Sequence, residues 1–177
     1  MEFTFVSGNL GLDLAGTIGR RRGGRVDLLA APEDLARWTV AAGLLETPPA
    51  ATDGDLAEAK ALREAVYRLA SAARTGERFE PADRGVLNLA AGRPPAAVLL
   101  GERGVERAGD LRAALSSTAR AAAELLGGPQ AALIRECEAD PCTRLYIDAS
   151  HRRTRRWCDM RGCGNRAKAA AFRARRR

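Results

Sequence analysis

Four cysteines near the carboxyl end are the residues of this chain best suited to chemistry. They fall within the last 41 of the 177 residues, as Cys137, Cys142, Cys158 and Cys163. Their spacing is two Cys-x4-Cys pairs separated by fifteen residues. A close pair in a tight turn can point two sulfur atoms at one ion, and a spacer of this length can bring the second pair opposite. The pattern predicts one structural Zn²⁺ held by four thiolates.

Three other uses of these thiols are open from the residues alone. They could be ordinary buried residues, they could form two disulfides, or they could hold an iron–sulfur cluster. The N-terminal stretch MEFTFVSGNLGLDLAG lacks the pattern of a signal peptide, so we expect a cytoplasmic protein, in which thiols stay reduced. His151, the single histidine, could replace one sulfur, but four cysteines already complete a tetrahedral shell. Zinc is therefore the favoured interpretation.

Positive charge is concentrated around the second cysteine pair. Residues 151–177 contain eleven basic residues and one acidic residue, a net charge of +10, whereas residues 1–150 carry −3. A basic cluster of this density attracts phosphate through counterion release. The predicted nucleic-acid contacts lie in the loop before Cys158 and in the segment after Cys163: Arg152, Arg153, Arg155, Arg156, Asn165, Arg166, Lys168 and Arg173. Arg166, Ala170, Arg173 and Arg177 share one helical face.

The elements that must position this cluster are a mostly helical body and a small module. Helix starts are predicted near Pro32, Thr52, Pro81 and Asp110, each followed by apolar residues at helical spacing. Short strands are predicted at Phe3–Ser7 and in a hairpin over residues 97–108. Leu10–Ala15 could be a strand end or a first helical turn. The sequence thus predicts an α+β fold, with a mostly helical domain over residues 1–130.

Residues 131–177 are predicted to form a treble-clef-like zinc finger. In this arrangement the first cysteine pair is a zinc knuckle, the spacer forms a hairpin through Leu145–Ile147 and a turn over residues 148–154, and a basic helix starts at the second pair. Gly164 is expected to allow the backbone to approach the metal closely. Zinc affinity would then become folding free energy for a segment too small to build its own core.

The run Cys163-Gly164-Asn165-Arg166 resembles the signature of the CGNR zinc-finger family, and the N-terminal part is similar to the ABATE domain that usually precedes this finger. The stretches that carry the resemblance are Leu12–Thr17, Asp27–Leu29, Leu35-x-x-Trp38, Leu62–Val66, Asp148-x-Ser150, Arg156–Cys158 and Lys168. One departure is Gly16, where the family commonly has Asn. The resemblance implies a bacterial, stress-responsive transcription regulator that binds DNA, with the four cysteines as zinc ligands and Asn165 and Arg166 as DNA contacts.

The sequence gives little support for other function classes. It has no P-loop and no Ser-His-Asp pattern, and four thiolates leave a zinc ion no open position for catalysis, so no enzyme is predicted. It contains no apolar run long enough to cross a membrane. An RNA-binding module and a zinc-stabilised protein-interaction module are the alternatives. The N-terminal domain is expected to sense an unidentified small-molecule effector or to form a homodimer.

Overall fold

The computed structural model describes residues 2–175. It confirms a mostly helical α+β fold that ends in a small zinc finger, and Arg177, one predicted member of the basic helical face, lies outside the described residues. The helices are α1 (Leu10–Ala15), α2 (Pro32–Ala41), α3 (Asp53–Thr75), α4 (Pro81–Ala91), α5 (Leu111–Gly127) and α6 (Asn165–Ala174). The strands form three antiparallel pairs: β1 (Ile18–Gly19) with β2 (Val26–Asp27), β3 (Ala97–Gly101) with β4 (Gly104–Ala108), and β5 (Ile134–Glu136) with β6 (Leu145–Ile147).

Helix α3 is the central element of the body. Thr52 caps it, because its hydroxyl accepts from the Asp55 N–H at 3.2 Å and the Asp55 carboxylate accepts from the Thr52 N–H at 3.0 Å. The helix ends at Gly76, whose φ of +76° is the left-handed conformation that favours glycine. Its apolar stripe is buried against the neighbouring helices, and each fully buried leucine contributes about 2 kcal/mol of transfer free energy. The stripe fixes α3 in the core.

A buried ion pair ties α3 to the first hairpin. The Arg63 side chain is only 1% exposed, and its guanidinium donates to both carboxylate oxygens of Asp27, at 2.7 and 3.0 Å. It also donates to the Thr17 hydroxyl at 3.2 Å. Burial alone would raise the pKa of Asp27, but the hydrogen bonds and charge of Arg63 outweigh it and the pKa is lowered. This contact holds β1 and β2 beside α3.

The predicted strand at Phe3–Ser7 is wrong. This segment belongs to no sheet, and among residues 2–175 its backbone contact with the nearest strand is one hydrogen bond, from the Ile147 N–H to the Ser7 carbonyl at 2.8 Å. Alternating residues suit a strand only where a neighbour pairs along the whole edge. The predicted hairpin over residues 97–108 is confirmed, and Leu10–Ala15 is a helix, capped by the Asn9 side chain.

The predicted hairpin within the cysteine spacer is also wrong. Leu145–Ile147 is a strand, but its partner is the earlier strand Ile134–Glu136, which precedes the cysteines. The first cysteine pair therefore lies in the loop between β5 and β6. Ile134, Leu145 and Ile147 are buried in the core of the body, whereas Tyr146 is buried in a second cluster with the cysteines. The two faces of this hairpin therefore join the metal centre to the body.

Candidate metal centre

The four cysteine sulfur atoms lie close enough to share one ion. All of them are within 4.8 Å of one another, with Sγ–Sγ distances of 3.8 Å between Cys142 and Cys158 and 3.5 Å between Cys158 and Cys163. A tetrahedron with Zn–S bonds of about 2.3 Å has edges of about 3.8 Å, whereas a disulfide requires about 2.05 Å. The geometry therefore fits a tetrahedral zinc ion and excludes disulfides between these pairs. His151 is exposed and is not part of the cluster.

The donor set also fits a closed structural site. Cys137, Cys158 and Cys163 are buried, Cys142 is half-buried, and Tyr146, Trp157 and Val6 pack around them. Four thiolates complete the zinc shell and leave no position for a substrate. Cys137, Cys142, Cys158 and Cys163 thus form one structural Zn²⁺ site, as the sequence predicts.

Without an ion, four neighbouring thiols cannot all lose their protons. Hydrogen bonds from Cys142 and Cys158 lower the pKa of Cys137 to about 2, whereas hydrogen bonds with Cys137 and Cys142 raise the pKa of Cys158. Burial, together with the charge of Cys142, raises the pKa of Cys163 to about 11. One ionised sulfur therefore opposes ionisation of the next. A dication removes this repulsion, so zinc binding releases protons and its affinity falls at low pH.

Local backbone structure presents each cysteine pair. The Cys137 N–H continues the β5–β6 pairing by donating to the Arg144 carbonyl at 3.0 Å, and the Cys142 N–H donates to the Ala139 carbonyl at 2.6 Å. In the second pair, Cys158 precedes a π-helical turn, Met160–Gly164, and Cys163 lies within it. The Asp159 carboxylate caps this turn by accepting from the Gly162 N–H at 2.7 Å. Helix α6 continues directly from this turn.

Gly164 packs closely against two side chains. A Cβ atom there would lie 2.9 Å from the Met160 sulfur and 3.4 Å from the Trp157 ring. The nearest atoms are thus side-chain atoms, so close packing on Met160 and Trp157 is the constraint that the structure shows at this position.

Asp148 organises the loop that carries the first basic residues. One of its carboxylate oxygens accepts from the Ser150 N–H at 3.0 Å and from the Ser150 hydroxyl at 2.6 Å, and the other accepts from the Arg155 N–H at 3.0 Å. Burial alone would raise the pKa of Asp148, but these hydrogen bonds outweigh it and the pKa is lowered. This explains the Asp148-x-Ser150 motif, because the pair closes the turn before the second cysteine pair.

Arg155 is used by the finger itself. Its guanidinium donates to the carbonyls of Trp157 at 2.8 Å and Val6 at 3.2 Å, and also to that of Cys158. It lies 4.5 Å from the centre of the Tyr146 ring. These contacts bind the basic loop to both the metal centre and the N-terminal segment, so Arg155 is a structural residue.

Arg166 also contacts the metal centre, although the residue as a whole is exposed. One of its guanidinium nitrogens lies 3.0 Å from the Cys163 sulfur, so the N–H donates to a zinc ligand. A donor to a thiolate offsets part of the negative charge that four cysteines bring to one zinc ion. The arginine of the Cys-Gly-Asn-Arg run is therefore linked to the metal centre.

The remaining predicted contacts are on the surface of the finger. Arg152, Arg153, Lys168 and Arg173 are exposed and make no ion pair within residues 2–175. Arg156 is exposed but pairs with Glu138 at 2.6 Å and lies 5.4 Å from the centre of the Trp157 ring. Asn165 is exposed and donates to the Arg161 carbonyl at 3.1 Å.

Arg161 is not among the nucleic-acid contacts predicted from the sequence. This residue is exposed within the π-helical turn between Cys158 and Cys163. Its position between two metal ligands is the sequence feature that marks it as a candidate contact, because a residue there is held in place by the zinc ion.

Gly16, the departure from the family pattern, makes room for an arginine. A Cβ atom at Gly16 would lie 2.4 Å from a guanidinium nitrogen of Arg144. This guanidinium donates to the Thr4 carbonyl at 3.0 Å and to the Gly16 carbonyl at 3.1 Å, and it lies 3.8 Å from Asp13. Burial raises the pKa of Asp13 even so. In this chain Arg144 fills the space that a side chain at position 16 would take.

The comparisons with known proteins agree with this arrangement. The ABATE family model, described as "Putative stress-induced transcription regulator", matches residues 8–129, and the CGNR zinc-finger model matches residues 134–176. The first match covers well over half of the chain, so the chain belongs to the ABATE family, and it ends in a CGNR zinc finger. No curated protein matches the chain. No helix in the described part of the chain combines the length and apolar composition needed to cross a bilayer.

Proposed function

We propose that this member of the ABATE family is a non-enzymatic transcription regulator that binds duplex DNA through its zinc finger. The observation that carries the proposal is the set of exposed basic side chains on a module that one zinc ion holds rigid. Arg152 and Arg153 belong to the loop fixed by Asp148, and Lys168 and Arg173 belong to α6. Their charges are not neutralised by acidic partners in residues 2–175, so phosphate is a suitable ligand.

The charge distribution separates the finger from the rest of the chain. Residues 131–177 carry a net charge of +8 and residues 1–130 carry −1, so a polyanion is drawn to the finger and not to the body. Each phosphate contact lowers the slope of log K against log salt by about 0.9. Four contacts give a slope of about −3.6, which predicts steep weakening of binding between low and physiological salt.

Sequence reading would require side chains that reach base edges. Asn165 is exposed at the first turn of α6 and is suited to adenine. Arg161, Lys168 and Arg173 are exposed basic residues close to it along the chain. Arg155 and Arg166 are left out of the proposed contacts because their guanidinium groups bind within the finger.

Fluorescence anisotropy with a labelled duplex of mixed sequence tests this proposal. We would compare the intact chain with Arg152→Gln/Arg153→Gln and with Lys168→Gln/Arg173→Gln across a salt series. The control, Arg78→Gln/Arg84→Gln, removes the same charge from exposed positions of the body. Each finger variant is expected to make the negative salt slope less steep by about 1.8, and the control is expected to leave the slope unchanged. Equal losses in all three variants would contradict a finger-specific contact.

RNA is the second candidate ligand, since phosphate attraction does not distinguish the two nucleic acids. Trp157, the aromatic residue beside the second cysteine pair, is half-buried in the metal cluster and is therefore poorly placed to stack on an unpaired base. Competition between duplex DNA and single-stranded or duplex RNA at one salt concentration separates them. If the finger is a protein-interaction module instead, we expect the chain to show no preference among these nucleic acids. The finger variants are then expected to have no effect on nucleic-acid binding.

The body is the proposed sensing part of the regulator, acting in a stress response in the bacterial cytoplasm. A cavity of about 280 Å³ lies where the body meets the finger, lined by residues that include Ile18, Thr143, Arg144 and Arg166. This volume is at the lower end of small-molecule sites, which favours a small effector. Arg166 also donates to the zinc ligand Cys163, so an effector bound in this cavity would contact a residue that is hydrogen-bonded to the metal centre.

A further inference from the structure

The hairpin formed by β3 and β4 exposes more apolar surface than any other strand pair in residues 2–175. Val98, Leu99, Leu100 and Val105 are 59%, 55%, 89% and 55% exposed. Its base is fixed to the body, because the Ala96 N–H donates to the Ala113 carbonyl and the Ser117 hydroxyl of α5. Soluble proteins seldom leave a cluster of large aliphatic side chains in water unless another surface covers it.

The two edges of this hairpin differ. On the outer edge of β4, the Arg107 N–H donates to the Glu46 carboxylate at 3.1 Å, and Glu106 and Arg107 add charge. Edge strands protected in this way resist pairing with other chains. β3 has no charged residue. Its outer edge is therefore the open one.

The register of β3 and β4 shows which backbone groups of β3 are free to pair with another strand. Arg107 lies opposite Val98, and its N–H points away from β3, so the two residues are a non-hydrogen-bonded pair. The N–H and C=O groups of Val98, and those of Leu100 two residues on, must then point outward. No hydrogen-bond partner for them occurs within residues 2–175.

We propose that β3 pairs with β3 of a second copy of this chain, antiparallel about a two-fold axis through Leu99. In this register Val98 forms a hydrogen-bonded pair with Leu100 of the second copy, and the reciprocal pair completes four backbone hydrogen bonds. The two Leu99 side chains meet on one face, and Val98 meets Leu100 on the other. Every apolar side chain of β3 gains an apolar cross-strand neighbour, and no charge opposes another.

A second copy is favoured over a different protein because the edge is self-complementary. The three-residue segment Val98–Leu100 is apolar throughout and has its outward groups placed symmetrically about Leu99. It carries no charged residue that would select an unlike partner. A two-fold dimer would also present two fingers related by symmetry, which suits an inverted-repeat DNA site. The dimer itself does not depend on DNA binding.

Sedimentation velocity on the full chain without DNA tests the proposal. The intact chain is expected to approach twice its 18.9 kDa mass as its concentration rises. Leu99→Lys and Leu99→Glu each place like charges directly opposite across the axis, so each is expected to weaken dimerisation about tenfold or more. Mixing the two variants brings opposite charges together and is expected to restore the dimer. Val105→Lys, on β4 of the same hairpin, is the matched control and is expected to remain dimeric.

Circular dichroism of each variant checks that the fold is retained, which the exposure of Leu99 favours. A chain that stays monomeric at all concentrations would overturn the proposal. So would a dimer that survives Leu99→Lys, or a mixture of the two variants that stays monomeric. Because the readout is mass in the absence of DNA, failure here is distinguishable from failure of the proposed DNA binding.

Discussion

Arg166 provides the sharpest test of the roles that the structure gives to the finger's arginines. The resemblance to the CGNR family implies a DNA contact, whereas the structure has its guanidinium donating to the Cys163 sulfur at 3.0 Å. Replacing it with methionine keeps most of the side-chain length and removes every donor. Arg166→Lys keeps the charge but loses the planar fork.

The expected size of the effect follows from the bond that is lost. A hydrogen bond to a charged acceptor contributes about 1.5–3 kcal/mol, and loss of a residue that supports a metal ligand lowers metal affinity about 10–100-fold. Because Arg166 is partly in contact with solvent, we expect the lower half of that range, about 10–30-fold weaker zinc binding for Arg166→Met. Arg166→Lys should recover part of the affinity.

Two measurements separate the metal role from a phosphate contact. Competition with a chromophoric chelator reports zinc affinity, and duplex binding under zinc saturation reports the salt slope. Arg166→Met is expected to weaken zinc binding and leave the slope unchanged, whereas the matched variant Arg152→Met is expected to do the reverse, with a change of about 0.9 in slope. Arg166→Met with normal zinc affinity and a slope reduced by about 0.9 would refute the reasoning.

Three further predictions concern stability and the metal. Asp148→Asn is expected to cost about 1–3 kcal/mol of unfolding free energy at pH 7 in urea titrations, because a buried acceptor of three hydrogen bonds loses its charge. Since the folded pKa of Asp148 is lowered, its contribution is present above the unfolded value of about 3.9 and is lost as pH falls through the folded value, so the variant should lose less stability in acid than the intact chain. Arg63→Met is expected to cost about 3 kcal/mol in the same titration, because it leaves Asp27 without its buried partner. Cys158→Ser, or removal of zinc by a chelator, is expected to abolish tight DNA binding while circular dichroism retains the signal of α1 to α5, and metal analysis of the intact chain should give one zinc per chain.

Each of these predictions has a control or an outcome that contradicts it. Arg37→Met breaks an exposed pair with Asp34 and should cost less than about 1 kcal/mol, so a cost equal to that of Arg63→Met would contradict the importance of burial. An acid-unfolding profile of Asp148→Asn parallel to that of the intact chain would show that Asp148 does not titrate as described. Metal-free protein that binds DNA as tightly as the zinc form would rule out the finger as the binding module.

Local sequence determined the helices and the identity of the metal ligands. Thr52, Asp110 and Gly76 mark helix ends because caps and left-handed glycines act over three or four residues. Four cysteines in two close pairs define a zinc site because each pair needs only a tight turn. The hairpin over residues 97–108 is equally local, since its turn and strands are contiguous.

Tertiary structure decided everything that depends on a partner far along the chain. Leu145–Ile147 was recognisable as a strand, but its pairing with Ile134–Glu136 depends on the body's core, which buries Ile134 and Ile147 together. The arginines looked alike in sequence, yet Arg155 reaches the Val6 carbonyl, 149 residues away, whereas Arg152 stays in solvent. A guanidinium binds whichever carbonyl, carboxylate or sulfur the fold brings within about 3 Å, and composition and spacing carry no record of that distance.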